Sequence, residues 1–248
     1  MFSNHDIELV AEILVNSKYL VAFTGAGVST ESGLPDYRGP EGVWTLRDKG
    51  LKPNLPRKPI SEIEPNIGHY AFVDLYKRGI LKYLISQNVD NLHLKSGVPS
   101  EILAELHGNH ALMKCLNCDA RFSKQEIGWD DVIHGKGYRT QRPSSNQPKC
   151  SHCNGRIISS VVNFNDPMPE KEIIESEKQS RKCDVMLVVG SSLSVYPAAE
   201  LPVIAKRLGA TLIIVNMGET QLDGLADVRI EAKSGEFLPK VVAQIKEL

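Results

Sequence analysis

Two cysteine pairs constrain this chain more than any other feature. Cys115-x-x-Cys118 is followed, after 31 intervening residues, by Cys150-x-x-Cys153. Pairs at that spacing suit one tetrahedral ion, and four sulfur ligands with no open position favour a structural zinc over a catalytic one. The alternative is four reduced thiols without a metal, which the doubled spacing disfavours. Residues 110–160 hold few long apolar runs and a polar, loop-like stretch at 142–148. A segment with so small a core gains its order from a metal. His152 reads as a bystander and Cys183, the fifth cysteine, as a plain buried thiol. Metal-type cysteines, with no basic stretch leading into an apolar one at residues 1–6, predict a reducing compartment: cytoplasmic, or nuclear in a eukaryote.

The rest of the chain alternates between strands and helices. Ile7, Val10, Ala11 and Leu14 recur at helical spacing and predict a helix over 6–16. Residues 18–24 form a buried strand running into Gly25-Ala26-Gly27, and 80–86 a second. In the C-terminal half, a strand at 184–189 ends in Gly190-Ser191-Ser192. A helix at 198–208 contains Pro202, a strand at 210–215 ends at Asn216, a short strand covers 227–230, and 235–248 is a closing helix. Short apolar strands separated by helices predict an α/β fold, a parallel sheet with helices on both faces. Residues 34–60, rich in Pro and Gly and ending in a proline-rich run at 52–59, are expected to be a long loop that orders on binding. There is no internal repeat or low-complexity tract.

Size and charge exclude some functions. A chain of 248 residues makes one or two domains and folds without disulfide staples. Its apolar runs at 19–23 and 185–189 are five residues each, against about 20 for a membrane span. Twenty-nine Lys+Arg against 30 Asp+Glu give a net charge of −1, so no bulk charge is present to hold nucleic acid.

The stretch from Thr24 through Gly25, Ala26, Gly27, Val28 and Ser29 to Gly33 is a glycine-rich turn after a buried strand. Such a turn lets backbone N–H groups approach a pyrophosphate at a helix N-terminus. Thr30 stands where a third fingerprint glycine would be, and no acidic residue marks a second strand end about 20 residues later, so a hydride-transfer dehydrogenase is disfavoured. Gln87-Asn88-Val89-Asp90, Gly190-Ser191-Ser192 and Asn216 fall just past other strands of the same sheet, where ligands of open α/β sheets bind. Each alone reads more readily as a capped turn; together they favour a dinucleotide. Leu106-His107-Gly108-Asn109 carries a candidate general base in His107, and His93 competes for that role.

Taken in order, these motifs resemble the sirtuins, NAD-dependent protein lysine deacylases. The resemblance runs through Gly25 to Ser29, Pro35-Asp36-Tyr37-Arg38-Gly39, Gln87 to His93, Leu106 to Asn109, the four cysteines, Gly190 to Ser192, and Asn216, and covers nearly the whole chain. Residues 39–45 are similar to a branch that includes nuclear chromatin-associated members. The resemblance implies a Rossmann-like NAD-binding large domain (1–33, 76–109 and 160–248). The small domain would comprise 34–75 and the zinc segment 110–159, with acyl-lysine and NAD meeting in the cleft between the domains. It implies that Gly25, Ala26, Gly27 and Ser29 take the pyrophosphate. Asp36, Tyr37, Arg38 and Trp44 would close on the nicotinamide ribose, with Gln87, Asn88 and Asp90 at the nicotinamide pocket. Gly190, Ser191, Ser192 and Asn216 would hold the adenosine half, with Ser234 near the adenine. Val162, Asn163, Phe164, Asn165 and Asp166 would form the strand that pairs with substrate peptide.

The implied reaction has the acyl oxygen attack the ribose carbon as nicotinamide leaves. His107 then deprotonates a ribose hydroxyl, which attacks the resulting alkylamidate, and hydrolysis by one water leaves lysine, nicotinamide and O-acyl-ADP-ribose, with Asn88 and Asp90 assisting. Zinc stays remote from the chemistry. Three positions depart from the family pattern: Tyr37 for the usual Phe, Asn91 for Gly, and Asn165-Asp166 for Gly-Glu. Two other readings use the same residues: mono-ADP-ribosyl transfer to protein, and a non-enzymatic zinc module that senses NAD.

Overall fold

Ser3 starts the first helix in the computed structural model, which describes residues 2–54, 56 and 58–245. Positions 55 and 57 of the proline-rich loop and the last three residues expected in the closing helix lie outside the described residues. Ser3 Oγ accepts the Asp6 N–H while the Asp6 carboxylate accepts the Ser3 N–H at 2.7 Å. This reciprocal cap starts α1 (Asn4–Asn16) three residues before Ile7, the first of the apolar repeat. The chain continues through β1 (Leu20–Thr24), a 3-10 turn (Ala26–Ser32), α2 (Val43–Asp48), α3 (Ile67–Lys77), β2 (Leu81–Ser86), α4 (Leu92–Ser96) and β3 (Leu103–Glu105). The cysteine-bearing segment follows as β4 (Leu112–Cys115), β5 (Arg121–Ser123), α5 (Asp131–His134) and β6 (Ile157–Ser159). Then come α6 (Glu170–Lys182), β7 (Val185–Val189), α7 (Glu200–Arg207), β8 (Thr211–Val215), β9 (Val228–Ile230) and α8 (Ser234–Ile245).

Six parallel strands form one sheet in the order β3-β2-β1-β7-β8-β9. Alternation along each strand divides the core in two. Leu20, Ala22, Leu187 and Ile213 face a layer built with α1, α3 and α8. Val21, Phe23, Met186 and Ile214 face the opposite layer, which includes Leu201 and Ala205 of α7. Burial on both faces is why these strands read as unbroken apolar runs. Pro202 falls in the first turn of α7, where its missing N–H costs nothing.

A second, antiparallel sheet, β5-β4-β6, carries the cysteines around a small core of Met113, Cys115, Trp129, Cys150 and Ile157. Ala71, Phe72, Val73 and Leu75 of α3, within the 34–75 segment expected in the small domain, are buried in the large core beside α8. Their spacing presents one apolar face to the sheet layer, so α3 packs with α1 and α8 on the large sheet. The 34–60 loop also contains structure of its own, since residues 43–48 are helical. Among the described residues, no helix is long and apolar enough to cross a membrane.

Candidate active site

The carboxyl ends of β1, β2, β3, β7 and β8 open on one side of the sheet and bring the polar motifs together. Glycine at Gly25 and Gly27 is required by loop packing. A Cβ at Gly25 would lie 2.8 Å from the Gly190 carbonyl oxygen, and one at Gly27 would lie 2.7 Å from Gly190 Cα. Gly27 N–H donates to Gly190 O at 2.8 Å, with Gly190 at φ 64°. Beyond Gly25 the chain makes a 3-10 turn instead of the expected α-helix.

Ser29 is fully enclosed, and its hydroxyl donates to Asp90 Oδ2 at 2.6 Å. Leu92 N–H donates to Asp90 Oδ1 at 2.9 Å, so both carboxylate oxygens are held. Asn88 Nδ2 donates to Gly25 O at 3.1 Å and to Ser29 Oγ at 3.3 Å, while its Oδ1 accepts from no described residue. Asn91 turns the chain into α4 at φ 68°, a left-handed conformation that Asn tolerates better than most side chains.

Two histidines lie beneath this cluster. His69, on α3, accepts the Asn66 N–H at Nδ1, so Nε2 carries the proton and faces Ser29 Oγ at 3.5 Å. Burial drives its pKa down to about 4 against the pull of Asp90, so the ring is neutral. His93 is 3% exposed, with Nε2 at 2.9 Å from Thr24 Oγ1. Burial, and then the neighbouring His69, put its pKa well below the usual value. Enclosure thus separates His93 from the role of a solvent-reachable base, which spacing alone could not do. His69 was not singled out from sequence, although Asn66-x-x-His69 has the spacing of a capping box.

His107 is different. It lies half-buried just past β3, with Nδ1 2.9 Å from the Gln87 carbonyl. A carbonyl only accepts, so Nδ1 carries the proton and Nε2 keeps its lone pair. Burial lowers the His107 pKa, opposed by the bond to Gln87. Nε2 bonds to no described residue. A neutral imidazole with a bare nitrogen is the form a general base needs.

The remaining candidates divide into free and engaged groups. Gln87 Nε2 donates to Ser191 Oγ at 2.8 Å, and Ser192 lies 2.9 Å from Ser194, hydroxyl to hydroxyl. Asn216 Nδ2 donates to the Met217 and Gly218 carbonyls, tightening the turn after β8. Ser234 is 2% exposed, and its hydroxyl faces Glu31 and the Val28 carbonyl, inside the junction with α8. Asp36 accepts the Gly39 N–H at 2.8 Å; burial raises its pKa and that bond lowers it. Tyr37 and Trp44 lie 4.8 Å apart between ring centres, and Arg38 sits over the Trp44 ring and pairs with Asp48. The Phe164 and Trp44 ring centres lie 5.6 Å apart.

Residues 162–166, expected as a strand, form a turn. Asn165 sits at φ 69°, and Asp166 Oδ2 accepts both the backbone N–H and the side-chain amide of Asn163, at 3.2 and 3.3 Å. That carboxylate occupies a donor that strand pairing would use. Val162 N–H is likewise given to the His107 carbonyl.

The four paired cysteines place their sulfur atoms within 4.8 Å of one another. A zinc–sulfur bond of about 2.3 Å in a tetrahedron puts the sulfurs about 3.8 Å apart. Cys115 and Cys153 are 3.5 Å apart and Cys118 and Cys150 are 3.6 Å apart. The two knuckles share a geometry: Asp119 and Asn154, each following the second cysteine of its pair, adopt φ 59°. The donor set fits zinc.

Against known proteins, the Sir2 family model matches residues 52–197. A protein of Archaeoglobus fulgidus named NAD-dependent protein deacylase 2 is 40% identical, covering 98% of this chain and 97% of its own. The chain belongs to the Sir2 family. A second Sir2 relative, the NAD-dependent protein deacetylase of Thermodesulfovibrio yellowstonii, is 38% identical over 95% of this chain and 93% of its own. Among solved structures, a Sir2–p53 peptide–NAD+ complex is 30% identical, with TM-score 0.75 and coverage of 98% and 99%. Sir2Af2 bound to a myristoylated histone peptide is 37% identical, with TM-score 0.68 and coverage of 99% and 98%.

Proposed function

We infer that this protein is an NAD-dependent protein-lysine deacylase. The observation that carries the reading is the tautomer of His107: Nδ1–H is given to the carbonyl of Gln87, which directly precedes Asn88, and Nε2 bonds to no described residue. Family membership and relatives named as NAD-dependent deacylases support it. The substrates are NAD and acyl-lysine proteins or peptides, and NAD supplies the ribose carbon from which nicotinamide departs.

In this reading Asn88 offers its unpaired Oδ1 to the nicotinamide half. Asp90, fixed by Ser29 and Leu92, shapes that pocket and adds negative charge near the developing positive ribose. His107 takes a ribose hydroxyl proton at Nε2, and the Gln87 carbonyl stabilises the resulting imidazolium through Nδ1–H. Tyr37, Arg38 and Trp44 cover the ribose and exclude water. Gly25 to Ser29 back the pyrophosphate, and Gly190, Ser191, Ser192 and Asn216 line the adenosine half. Residues 162–166 receive the peptide. Zinc on Cys115, Cys118, Cys150 and Cys153 holds the small module and takes no part in the chemistry. Such thiolates suit the reducing cytoplasm.

Mass spectrometry of the products tests the reading. Incubation with NAD and an acetyl-lysine peptide yields soluble O-acetyl-ADP-ribose. If the ADP-ribose instead remained on protein, transfer to protein would be the reaction. If NAD stayed intact, the module would bind without turnover.

A further inference from the structure

The turn that carries His107 is closed twice. Gly108 N–H donates to the Glu105 carbonyl at 3.0 Å. Asn109 Nδ2 then donates to Glu105 Oε1 at 2.7 Å, spanning the same turn through side chains. The other Asn109 amide proton goes to Asn91 Oδ1 at 2.8 Å, and Asn91 directly follows Asp90. Asn109 is wholly buried, and its remaining groups are engaged by Ala111 N–H at 2.9 Å and by the Ser160 hydroxyl at 3.0 and 2.7 Å. Its amide cannot turn without stranding a buried polar atom.

Glu105 is 5% exposed, and charges reach it from three other elements. Arg121 of β5 lies 3.7 Å from Oε2 and also pairs with Glu172 of α6. Glu172 in turn accepts the Glu105 N–H at 3.2 Å. Asp90 faces it from the loop after β2. Burial pushes the Glu105 carboxyl up to about 7; Asn109 and Arg121 oppose that, while Glu172 and Asp90 add to it. A buried carboxylate is costly, and its partners here are two loops of the candidate site and one cation of the cysteine-bearing module.

We propose that Glu105 is a positioning residue that locks the His107 turn to the Asp90–Asn91 loop through Asn109, with Arg121 tying the lock to the cysteine-bearing module. What the lock positions rests on the deacylase reading; the lock itself rests on these contacts. Neither Glu105 nor Arg121 touches the reacting atoms.

Steady-state kinetics of Glu105→Ala, Glu105→Gln and Arg121→Met, with NAD and an acetyl-lysine peptide, test it. Glu105→Gln keeps an acceptor for Asn109, and its kcat stays within about three-fold of the parent. Glu105→Ala loses about 10- to 100-fold in kcat while the peptide KM stays within about two-fold. Arg121→Met falls between them, and parental kcat in that variant removes Arg121 from the lock. Nitrogen-15 NMR of the His107 ring reads the lock without turnover. The Nδ1–H tautomer persists in Glu105→Gln and averages between nitrogens in Glu105→Ala. Should Glu105→Ala fail to fold, Asn109→Ala breaks the same link and gives the same two readouts. Parental kcat and a parental ring spectrum in a folded Glu105→Ala or Asn109→Ala protein overturn the proposal. A parent protein that turns over no acyl-lysine peptide overturns the deacylase reading, and the ring spectrum still decides the lock.

Discussion

Gly108→Ala should damage stability and activity together, for reasons that can be sized. Gly108 adopts φ 77°, and a Cβ there would lie 1.9 Å from the Ser160 carbonyl oxygen. The left-handed backbone alone costs alanine about 1–2 kcal/mol. Relieving the overlap to beyond 3.0 Å requires a retreat of about 1.1 Å by one of two buried backbones. Overpacking of that kind adds about 1–3 kcal/mol. The sum, about 2–5 kcal/mol, lowers Tm by roughly 5–15 °C in a chain of this size. Gly108 adjoins His107, and a displacement of about 1 Å at a catalytic group costs about 100-fold in kcat. Urea unfolding and steady-state deacylation measure the two effects. Gly209→Ala is the control: φ is 96° but no atom lies within 4 Å, so it should show the backbone cost with parental kcat. A Gly108→Ala protein no less stable than Gly209→Ala, and fully active, would refute the claim that this contact fixes the His107 turn.

Three further outcomes are expected. The His69 pKa is held near 4 against the usual 6.5, so the unfolded chain binds the proton more readily. Its contribution to stability is complete above about 6.5 and is lost as pH falls toward 4; His69→Gln should show a shallower acid limb in unfolding free energy, and an identical limb would contradict the assignment. Metal analysis should find one zinc per chain, and Cys150→Ser should lose it and melt the β4–β6 module, as the about 10–16 kcal/mol of zinc-finger peptides implies; retained zinc with an intact module would count against the site. Asp166→Ala releases the Asn163 N–H and should lower peptide KM with kcat and the NAD KM unchanged, whereas no change in peptide KM would remove residues 162–166 from substrate binding.

The large sheet was legible because its strands are buried on both faces and read as apolar runs. Helix α6 was not. Its buried residues are Ser176, Gln179 and Ser180, so it has no apolar stripe to detect. Strands β4 to β6 have three or four residues each, too short for alternation to register. Within the site, spacing found Ser29 and the glycines, but not that Ser29 holds Asp90 or that the glycines pack one loop on another. Glu105 and Arg121 gave no local signal, and the capping-box spacing of His69 marks a helix start, not a place in the site. His69 reaches Ser29 across 40 residues and Arg121 reaches Glu172 across 51, which no periodicity records. Burial, invisible in spacing, is also what separates His107 from His93.

The most direct test of the account is the balance of products with and without NAD. Purified protein, an acetyl-lysine peptide and NAD should release one nicotinamide for each lysine freed, and His107→Ala should stop both. Lysine freed without NAD, or at an unchanged rate by the His107→Ala protein, would contradict it.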